Sequence, residues 1–430
     1  MKIITTTRQL QWQELSTSGL DTIKSTLSIK DAGQLWDGFG GCFNELSQIA
    51  LLKLPEDQRK EVYDFLFSKN VDGLKFDFCR IPIGASDYAE FWYSHNETDG
   101  DYEMKNFSIE RDHKYLLPYI KEALKRNPSM KFFASPWSPP AWMKYPKAHN
   151  NGTLLQTDEN LKAYALYLAL FIEAYEKEGV TIHQLHIQNE PVSSQKFPSC
   201  IWTGEEFSNF IANYLGPIFK ERNIKTKIWL GTLNGPETDN RKLYTRYDNY
   251  ANLVLHDEEA YPYIEGVSYQ WAGKYALEIT RSAFPEKKYM QTENECGDGT
   301  NSWNYAMYIF EMFHHYISNG VCAYIYWNMA LPPGGASTWG WHQNSMIDIT
   351  SEHYKFNYEY YVMKHFAAFI QVGAQLQILD GHFNATSICF KNPDNSLVLI
   401  SKNPFEREVE FEFEGQTIIL PPFSINTILF

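Results

Sequence analysis

The chain has 430 residues and carries 38 Lys and Arg against 52 Asp and Glu, which gives a formal net charge of −14. This acidic balance argues against nucleic-acid binding, which depends on a basic surface. The sequence contains no run of 18 apolar residues, so it predicts no transmembrane helix. With 44% hydrophobic and 16% aromatic residues, it predicts a globular protein with one large domain and one small domain.

The N-terminal stretch lacks the apolar segment of a secretory signal, which favours a cytoplasmic location. The six cysteines form no C-x-x-C pair, and in a chain of this length they are expected to be reduced.

Short β-rich runs alternate with longer amphipathic segments along most of the chain. The predicted strands are Trp36–Phe43, Leu74–Ile83, Lys131–Trp137, Ile182–Asn189, Lys227–Gly231, Gly266–Trp271, Lys287–Thr292 and Val321–Asn328. The predicted helices between them include Pro55–Asn70, Asp112–Arg126, Asp158–Glu178, Gly204–Arg222 and Asn301–Asn319. Eight alternating units favour an α/β fold, a (β/α)8 TIM barrel. A doubly wound open sheet is the alternative, but no predicted strand is followed by a Gly-rich phosphate loop.

After a predicted helix at Glu359–Ile370, the pattern changes to short strands separated by turns. This pattern predicts an antiparallel β-sandwich appended to the barrel. An alternating segment, Ile23–Ile29, precedes the first barrel strand and is expected to join that sandwich. The predicted organisation is therefore an N-terminal segment (1–34), a catalytic barrel (35–370) and a C-terminal side domain (371–430).

Two glutamates end two of the predicted barrel strands. Glu190 follows His186 and Gln188 at a spacing of two and directly precedes Pro191, and Glu293 ends the seventh strand. In a TIM barrel the catalytic residues lie at the carboxyl ends of the strands, and strands four and seven are opposite each other. Two opposed carboxyl groups suit glycoside hydrolysis, in which one donates a proton and the other stays ionised.

At these positions the chain resembles glycoside hydrolase family 30, which includes glucosylceramidases, β-1,6-glucanases and β-xylosidases. The resemblance covers nearly the whole chain. It is carried by Asn189–Pro191, Thr292-Glu293, and the motifs WDGFGGCF (36–43), RIPIG (80–84) and ASPWSPPAW (134–142).

The resemblance implies Glu190 as the acid/base and Glu293 as the nucleophile of a retaining enzyme. Arg80 matches an arginine that holds the nucleophile, and Asn189 matches an asparagine that binds the sugar 2-hydroxyl. Asp87, Trp137 and Trp327 match further substrate-binding positions, and Tyr269 and Trp271 are also expected to bind substrate. The chain departs from the family at Tyr269–Trp271, where glucosylceramidase-like members carry His-Trp-Tyr, so Trp271 is expected to replace the tyrosine that supports the nucleophile.

These observations lead to the hypothesis of a retaining β-glycosidase that acts on β-D-glucosides or oligosaccharides and needs no cofactor or metal. The enzymatic alternatives are an endo-acting β-1,6-glucanase and a β-xylosidase. The non-enzymatic alternative is an inactive carbohydrate-binding barrel. Glu295 and Asp298, which lie close to Glu293, remain alternative nucleophiles.

Overall fold

The computed structural model describes residues 1–15, 25–235 and 250–430. The strands are β1 (Lys2–Thr6), β2 (Gln13–Leu15), β3 (Ser25–Leu35), β4 (Gly38–Cys42), β5 (Phe78–Ile83), β6 (Lys131–Pro136), β7 (Lys144–Tyr145), β8 (Thr153–Leu154), β9 (Gln184–His186), β10 (Lys227–Leu233), β11 (Ile264–Gln270), β12 (Lys288–Glu293), β13 (Ala323–Asn328), β14 (Ala330–Leu331), β15 (Ile347–Ile349), β16 (Tyr354–Phe356), β17 (Gln375–Gly381), β18 (Ser387–Lys391), β19 (Leu397–Asn403), β20 (Val409–Phe413), β21 (Gln416–Leu420) and β22 (Ser424–Leu429).

The helices alternate with the barrel strands over most of the chain. They are α1 (Glu45–Leu51), α2 (Glu56–Phe67), α3 (Leu116–Arg126), α4 (Asp158–Lys177), α5 (Gly204–Phe210), α6 (Gly216–Glu221), α7 (Tyr250–Leu255), α8 (Lys274–Ala283), α9 (Trp303–Ser318) and α10 (Tyr358–Ala367). A π-helical turn at Ile211–Leu215 separates α5 from α6, where the sequence predicts one continuous helix. No helix of the described residues is both long enough and apolar enough to cross a membrane.

Eight parallel strands close into a barrel in the order β4, β5, β6, β9, β10, β11, β12 and β13, and β13 pairs with β4. Each strand overlaps its predicted range, so the predicted TIM barrel is confirmed. Phe78, Phe133, Trp229 and Met290 pack together inside the barrel with smaller side chains of β13. This apolar plug fills the centre of the barrel, as expected for a TIM barrel, so polar site residues are expected at the carboxyl ends of the strands.

The side domain is one curled sheet of nine strands in the order β2, β1, β22, β19, β18, β17, β3, β20 and β21. As predicted from the alternating segment, β3 joins it, although residues 23 and 24 lie outside the described part. Because the sheet curls, Leu27 and Phe411 near one end share a core with Ile3 and Ile428 near the other. The predicted sandwich thus consists of one continuous sheet, in which the β3–β20 pair is parallel.

The long segment between β5 and α3 is held by a buried polar cluster. The carboxylate of Asp112 accepts hydrogen bonds from Tyr93 at 2.8 Å and Tyr175 at 2.7 Å, and its Oδ2 lies 3.0 Å from His95 Nε2. Burial opposes ionisation, but His95 and the two hydroxyls lower the pKa of Asp112 below its usual value. The cluster fastens the segment to α4 and so restrains Asp87, which the same segment carries.

Candidate active site

A polar cluster lies at the carboxyl-terminal mouth of the barrel, directly above the apolar plug. Arg80 comes from β5, Gln270 ends β11 and Glu293 ends β12, while Asn189 and Glu190 follow β9. These positions come together because the strands are parallel and their carboxyl ends meet on one side of the barrel.

A β-bulge directs Glu293 into the site. Ser268 pairs with Met290 and Tyr269 with Gln291, but Gln270 pairs with Glu293, so one extra residue is inserted before the strand ends. The alternation of residues along the predicted seventh strand places Tyr289, Gln291 and Glu293 on one face, and the bulge shows that this expectation is wrong. Met290 faces the barrel interior, whereas the Tyr289 hydroxyl donates to backbone carbonyls of α8 and the residue after it.

The guanidinium group of Arg80 is completely buried and organises the cluster. Its Nη1 donates to Glu293 Oε2 at 2.6 Å, Nη2 donates to Asn189 Oδ1 at 2.6 Å, and Nε donates to Ser135 Oγ at 3.0 Å. The guanidinium carbon lies 4.3 Å from the centre of the Trp137 ring. A buried cation held on several sides in this way fixes the carboxylate in place and stabilises its ionised form.

Gln270 is a site residue that the sequence reasoning missed. Its Nε2 lies 3.0 Å from Glu293 Oε2 and 2.6 Å from Asn189 Oδ1, which makes it a second donor to the same carboxylate oxygen that Arg80 binds. The prediction that Tyr269 binds substrate is corrected by the structure. Its side chain is fully buried on the opposite face of β11, and its hydroxyl group is hydrogen-bonded to Thr280 of α8. Counting by two from an inward-facing Ser268 would have identified Gln270.

Asn189 presents its amide nitrogen to the cleft. Its Oδ1 already accepts from Arg80 and Gln270. The remaining Nδ2 group lies at the lining of the cleft, where it can donate to a ligand. The predicted hydrogen bond from Asn189 to a sugar hydroxyl is consistent with this orientation and stays a prediction.

Glu190 leaves the regular strand before it reaches the site. The strand β9 ends at His186, and Glu190 adopts a left-handed backbone conformation with φ of 48°. Non-glycine residues seldom adopt this conformation, which concentrates at functional sites because it costs free energy. Glu190 therefore faces the cleft because of a local backbone turn and not because of strand periodicity.

Burial raises the pKa of Glu190 to about 8, and the nearby carboxylates of Glu293 and Asp87 add to the rise. Burial also raises the pKa of Glu293, but the charge and hydrogen bond of Arg80 oppose that rise. Arg80 thus distinguishes the two glutamates. Arg80 favours the ionised form of Glu293, to which it donates directly, while the raised pKa of Glu190 favours its protonated form.

Three buried polar atoms of the site have no partner among the described residues. They are Asp87 Oδ1, Gln270 Oε1 and Trp327 Nε1. Burial, followed by the Glu293 charge, raises the pKa of Asp87 to about 8. Trp327 lies next to Trp137, with ring centres 5.3 Å apart. A buried polar atom without a partner costs free energy, and because Asp87 lines the cleft, a bound ligand can supply a partner for its Oδ1.

The cleft above these residues has a volume of about 640 Å³. Of the predicted residues, it is lined by Asp87, Trp137, Asn189, Glu190, Trp271 and Glu293, and also by the alternative nucleophile Glu295. Arg80 and Trp327 lie beneath this lining, and both are buried.

The alternative nucleophiles are placed in other roles. The Glu295 carboxylate accepts a hydrogen bond from Tyr308 at 2.6 Å, and the Asp298 side chain accepts from Thr300 within an exposed turn. Neither carboxylate is paired with Arg80, so Glu293 is the better candidate.

The fold and site define a TIM-barrel hydrolase with two opposed carboxyl groups, one of them paired with an arginine. The sequence matches the Glycosyl hydrolase family 30 TIM-barrel domain over residues 36–370. The chain therefore belongs to glycosyl hydrolase family 30 and is a glycoside hydrolase.

The similar proteins include a glucosylceramidase and endo-1,6-β-D-glucanases. The chain is 26% identical to the lysosomal acid glucosylceramidase of Mus musculus, over 98% of this chain and 87% of the relative. It is 25% identical to an endo-1,6-β-D-glucanase of Trichoderma harzianum, over 86% of this chain and 78% of the relative. The solved structure of an endo-β1,6-glucanase superposes with a TM-score of 0.87 at 26% identity, covering 100% of this chain and 99% of the other.

Proposed function

We propose that this chain is a retaining β-glycosidase that hydrolyses β-D-glucosidic bonds in small glycosides or oligosaccharides by double displacement. The observation that carries the proposal is the asymmetry of the two glutamates. Glu293 forms a buried ion pair with Arg80 that favours its ionised form, while none of the described residues forms an ion pair with Glu190, whose pKa is raised. This is the pairing of nucleophile and acid that glycoside hydrolysis requires.

In the proposed mechanism, Glu293 attacks the anomeric carbon while Glu190 protonates the leaving oxygen. A covalent glycosyl-enzyme forms, and the leaving alcohol departs with the proton from Glu190. Glu190, now ionised, removes a proton from water, and the resulting attack releases the sugar and restores both carboxyl groups. Arg80 stays bound to Glu293 Oε2, which leaves Oε1 as the oxygen that can attack.

The substrate proposal is tested with an aryl β-D-glucoside, an aryl β-D-xyloside, gentiobiose and a β-1,6-glucan, with the product anomer followed by NMR. We expect hydrolysis of the β-glucosides with the β-anomer appearing first. First appearance of the α-anomer would contradict retention. Faster hydrolysis of the xyloside would identify a β-xylosidase, and no hydrolysis of any substrate would favour a carbohydrate-binding barrel.

An endo-acting β-1,6-glucanase is the second candidate. It is favoured by the structural similarity over the full chain to a β-1,6-glucanase at a TM-score of 0.87. The length of the products from β-1,6-glucan separates the two candidates, because an endo enzyme releases oligosaccharides and an exo enzyme releases glucose.

Replacing Gln270 by Met is expected to lower kcat/KM about 10- to 100-fold. The variant removes a donor to the ionised Glu293, and a hydrogen bond to a charged group contributes about 1.5–3 kcal/mol. Because that hydrogen bond favours the ionised carboxylate, its loss should also move the acidic limb of the pH–rate profile to higher pH.

The control for this variant is Gln291→Met, which changes a buried glutamine of the next strand whose Oε1 accepts from the backbone of Ile325. The control should leave the acidic limb unchanged. Equal shifts in both variants would show that Gln270 acts through general packing and not on Glu293.

A further inference from the structure

Three aromatic side chains form a wall along one side of the catalytic cleft. This aromatic wall consists of Phe197, Trp339 and Trp341. The Trp339 ring centre lies 4.9 Å from that of Phe197 and 5.5 Å from that of Trp341, with which it stacks at 20°. All three residues line the cleft that contains Glu190 and Glu293.

Trp341 is 49% exposed, whereas every other tryptophan of the described residues is buried or half-buried. Exposing a large aromatic ring to water is unfavourable, and an apolar patch beside a reactive site indicates a ligand surface. The ring is also placed with precision, since the backbone of Trp341 exchanges hydrogen bonds with Ser337 at 2.7 and 3.0 Å.

The aromatic wall is fastened to the base of the cleft. Trp339 Nε1 donates to the backbone carbonyl of Asp87 at 3.0 Å, and the Tyr88 hydroxyl donates to the carbonyl of Gly335 at 2.6 Å. A ligand ring on the wall would therefore keep a constant position relative to Asp87. Rigid placement of this kind reduces the entropy lost on binding.

The chain order assigns the wall to the leaving-group side of the cleft. Phe197 belongs to the segment that directly follows Glu190, the residue we propose as the acid that protonates the leaving oxygen. Since Trp339 packs on Phe197, the wall is joined to the segment that carries the proposed acid. A group bound there would be the one that departs.

Polar residues line the same cleft as the aromatic wall. They are Asn151, Ser194, Gln195 and Lys196, and the last three directly precede Phe197. An aromatic face close to amide, hydroxyl and ammonium groups suits a sugar ring, whose C–H face is apolar and whose edge carries hydroxyl groups. A lipid chain would instead require a lining that is apolar throughout.

We propose that the aromatic wall is a binding site for a sugar ring on the leaving-group side, with the ring stacked on Trp341. The inference rests on the proposed function and specifies its substrate as a β-linked gluco-oligosaccharide with at least one further sugar beyond the bond that is cleaved.

The test compares Trp341→Ala with the unchanged chain on gentiotriose, laminaritriose and β-D-glucosyl fluoride. The fluoride leaving group occupies no sugar site. We expect kcat/KM to fall about tenfold on at least one trisaccharide, the size of one lost aromatic contact, and to stay unchanged on glucosyl fluoride.

Trp341→Phe should retain most of the trisaccharide activity. Tyr275→Ala, which removes an aromatic ring that is 63% exposed outside the cleft, should match the unchanged chain on all three substrates.

Binding gives a second readout that does not depend on turnover. Calorimetry should show that the double variant Glu293→Gln/Trp341→Ala binds the trisaccharide about tenfold more weakly than the inactive single variant Glu293→Gln. The proposal would be overturned if Trp341→Ala lowered kcat/KM equally on glucosyl fluoride and the trisaccharides, or on neither trisaccharide. A larger loss of kcat/KM on octyl β-D-glucoside, whose leaving group is an alkyl chain, would also overturn it. If the unchanged chain does not cleave glucosyl fluoride, the proposed function fails, and the calorimetric result alone decides whether the wall binds sugar.

Discussion

Replacing Glu293 by Gln is expected to lower kcat by at least about 10⁴-fold. The amide cannot attack the anomeric carbon, and it places an N–H group or a neutral oxygen against the Arg80 guanidinium, which now donates to Glu293 Oε2 at 2.6 Å. The measurement is kcat on an aryl β-D-glucoside, with circular dichroism to confirm that the variant is folded.

Small anions should restore activity to Glu293→Gly. Azide or formate can occupy the space of the missing carboxylate and attack from the same side, and azide should yield an α-glucosyl azide. Glu295→Gln is the matched control, because this carboxylate lies two residues further on and is paired with Tyr308. Loss of activity in Glu295→Gln together with retained activity in Glu293→Gln would show that the nucleophile is misassigned.

Replacing Glu190 by Gln is expected to lower kcat/KM about 10²- to 10⁴-fold on glycosides with poor leaving groups. Substrates with good leaving groups, such as β-D-glucosyl fluoride, need little protonation and should lose much less in the first step. The difference between the two substrate types measures the contribution of the acid.

The pH dependence gives an independent readout for Glu190. Its pKa is raised to about 8, and the acid acts in its protonated form, so the activity of the unchanged chain should fall as the pH rises through about 8. The alkaline limb should disappear in Glu190→Gln. Glu359→Gln is the control, since burial raises the pKa of Glu359 to about 8 as well, but the residue lies on α10 outside the cleft lining. An alkaline limb that disappears only in the control would contradict the assignment.

Both predictions depend on one electrostatic feature of the site. The carboxyl groups of Asp87, Glu190 and Glu293 share a buried space with one guanidinium group, that of Arg80. A single positive charge cannot offset three buried negative charges, so the groups titrate as a coupled set. Because Arg80 donates directly to Glu293, the ionised form is favoured there first.

The sequence predicted the barrel because its strands and helices have a strong local signature. Buried parallel strands appear as short β-rich runs, and the helices between them are long enough to show amphipathic patterns. The predicted pattern of short strands separated by turns is also found in the side domain, for example at Ser387–Lys391, Gln416–Leu420 and Ser424–Leu429.

The resemblance to family 30 placed Glu190, Glu293 and Arg80 at the mouth of the barrel, and the structure brings these three residues together. Their catalytic roles remain predictions. At Tyr269–Trp271, where the family pattern is broken, the sequence predicted Tyr269 and Trp271 as site residues and missed Gln270, the residue of β11 that contacts Glu293.

The sequence by itself determined the fold class, the order of the barrel strands and the positions of the two glutamates near strand ends, since each depends on local pattern or motif. Only the tertiary structure decided how those strand ends are turned. The bulge before Glu293, the left-handed backbone at Glu190 and the inward position of Gln270 all break the period of two. These features arise from pairing with neighbouring strands and from the need of buried charged groups for hydrogen-bond partners. The spacing of residues along one strand encodes neither of these two causes.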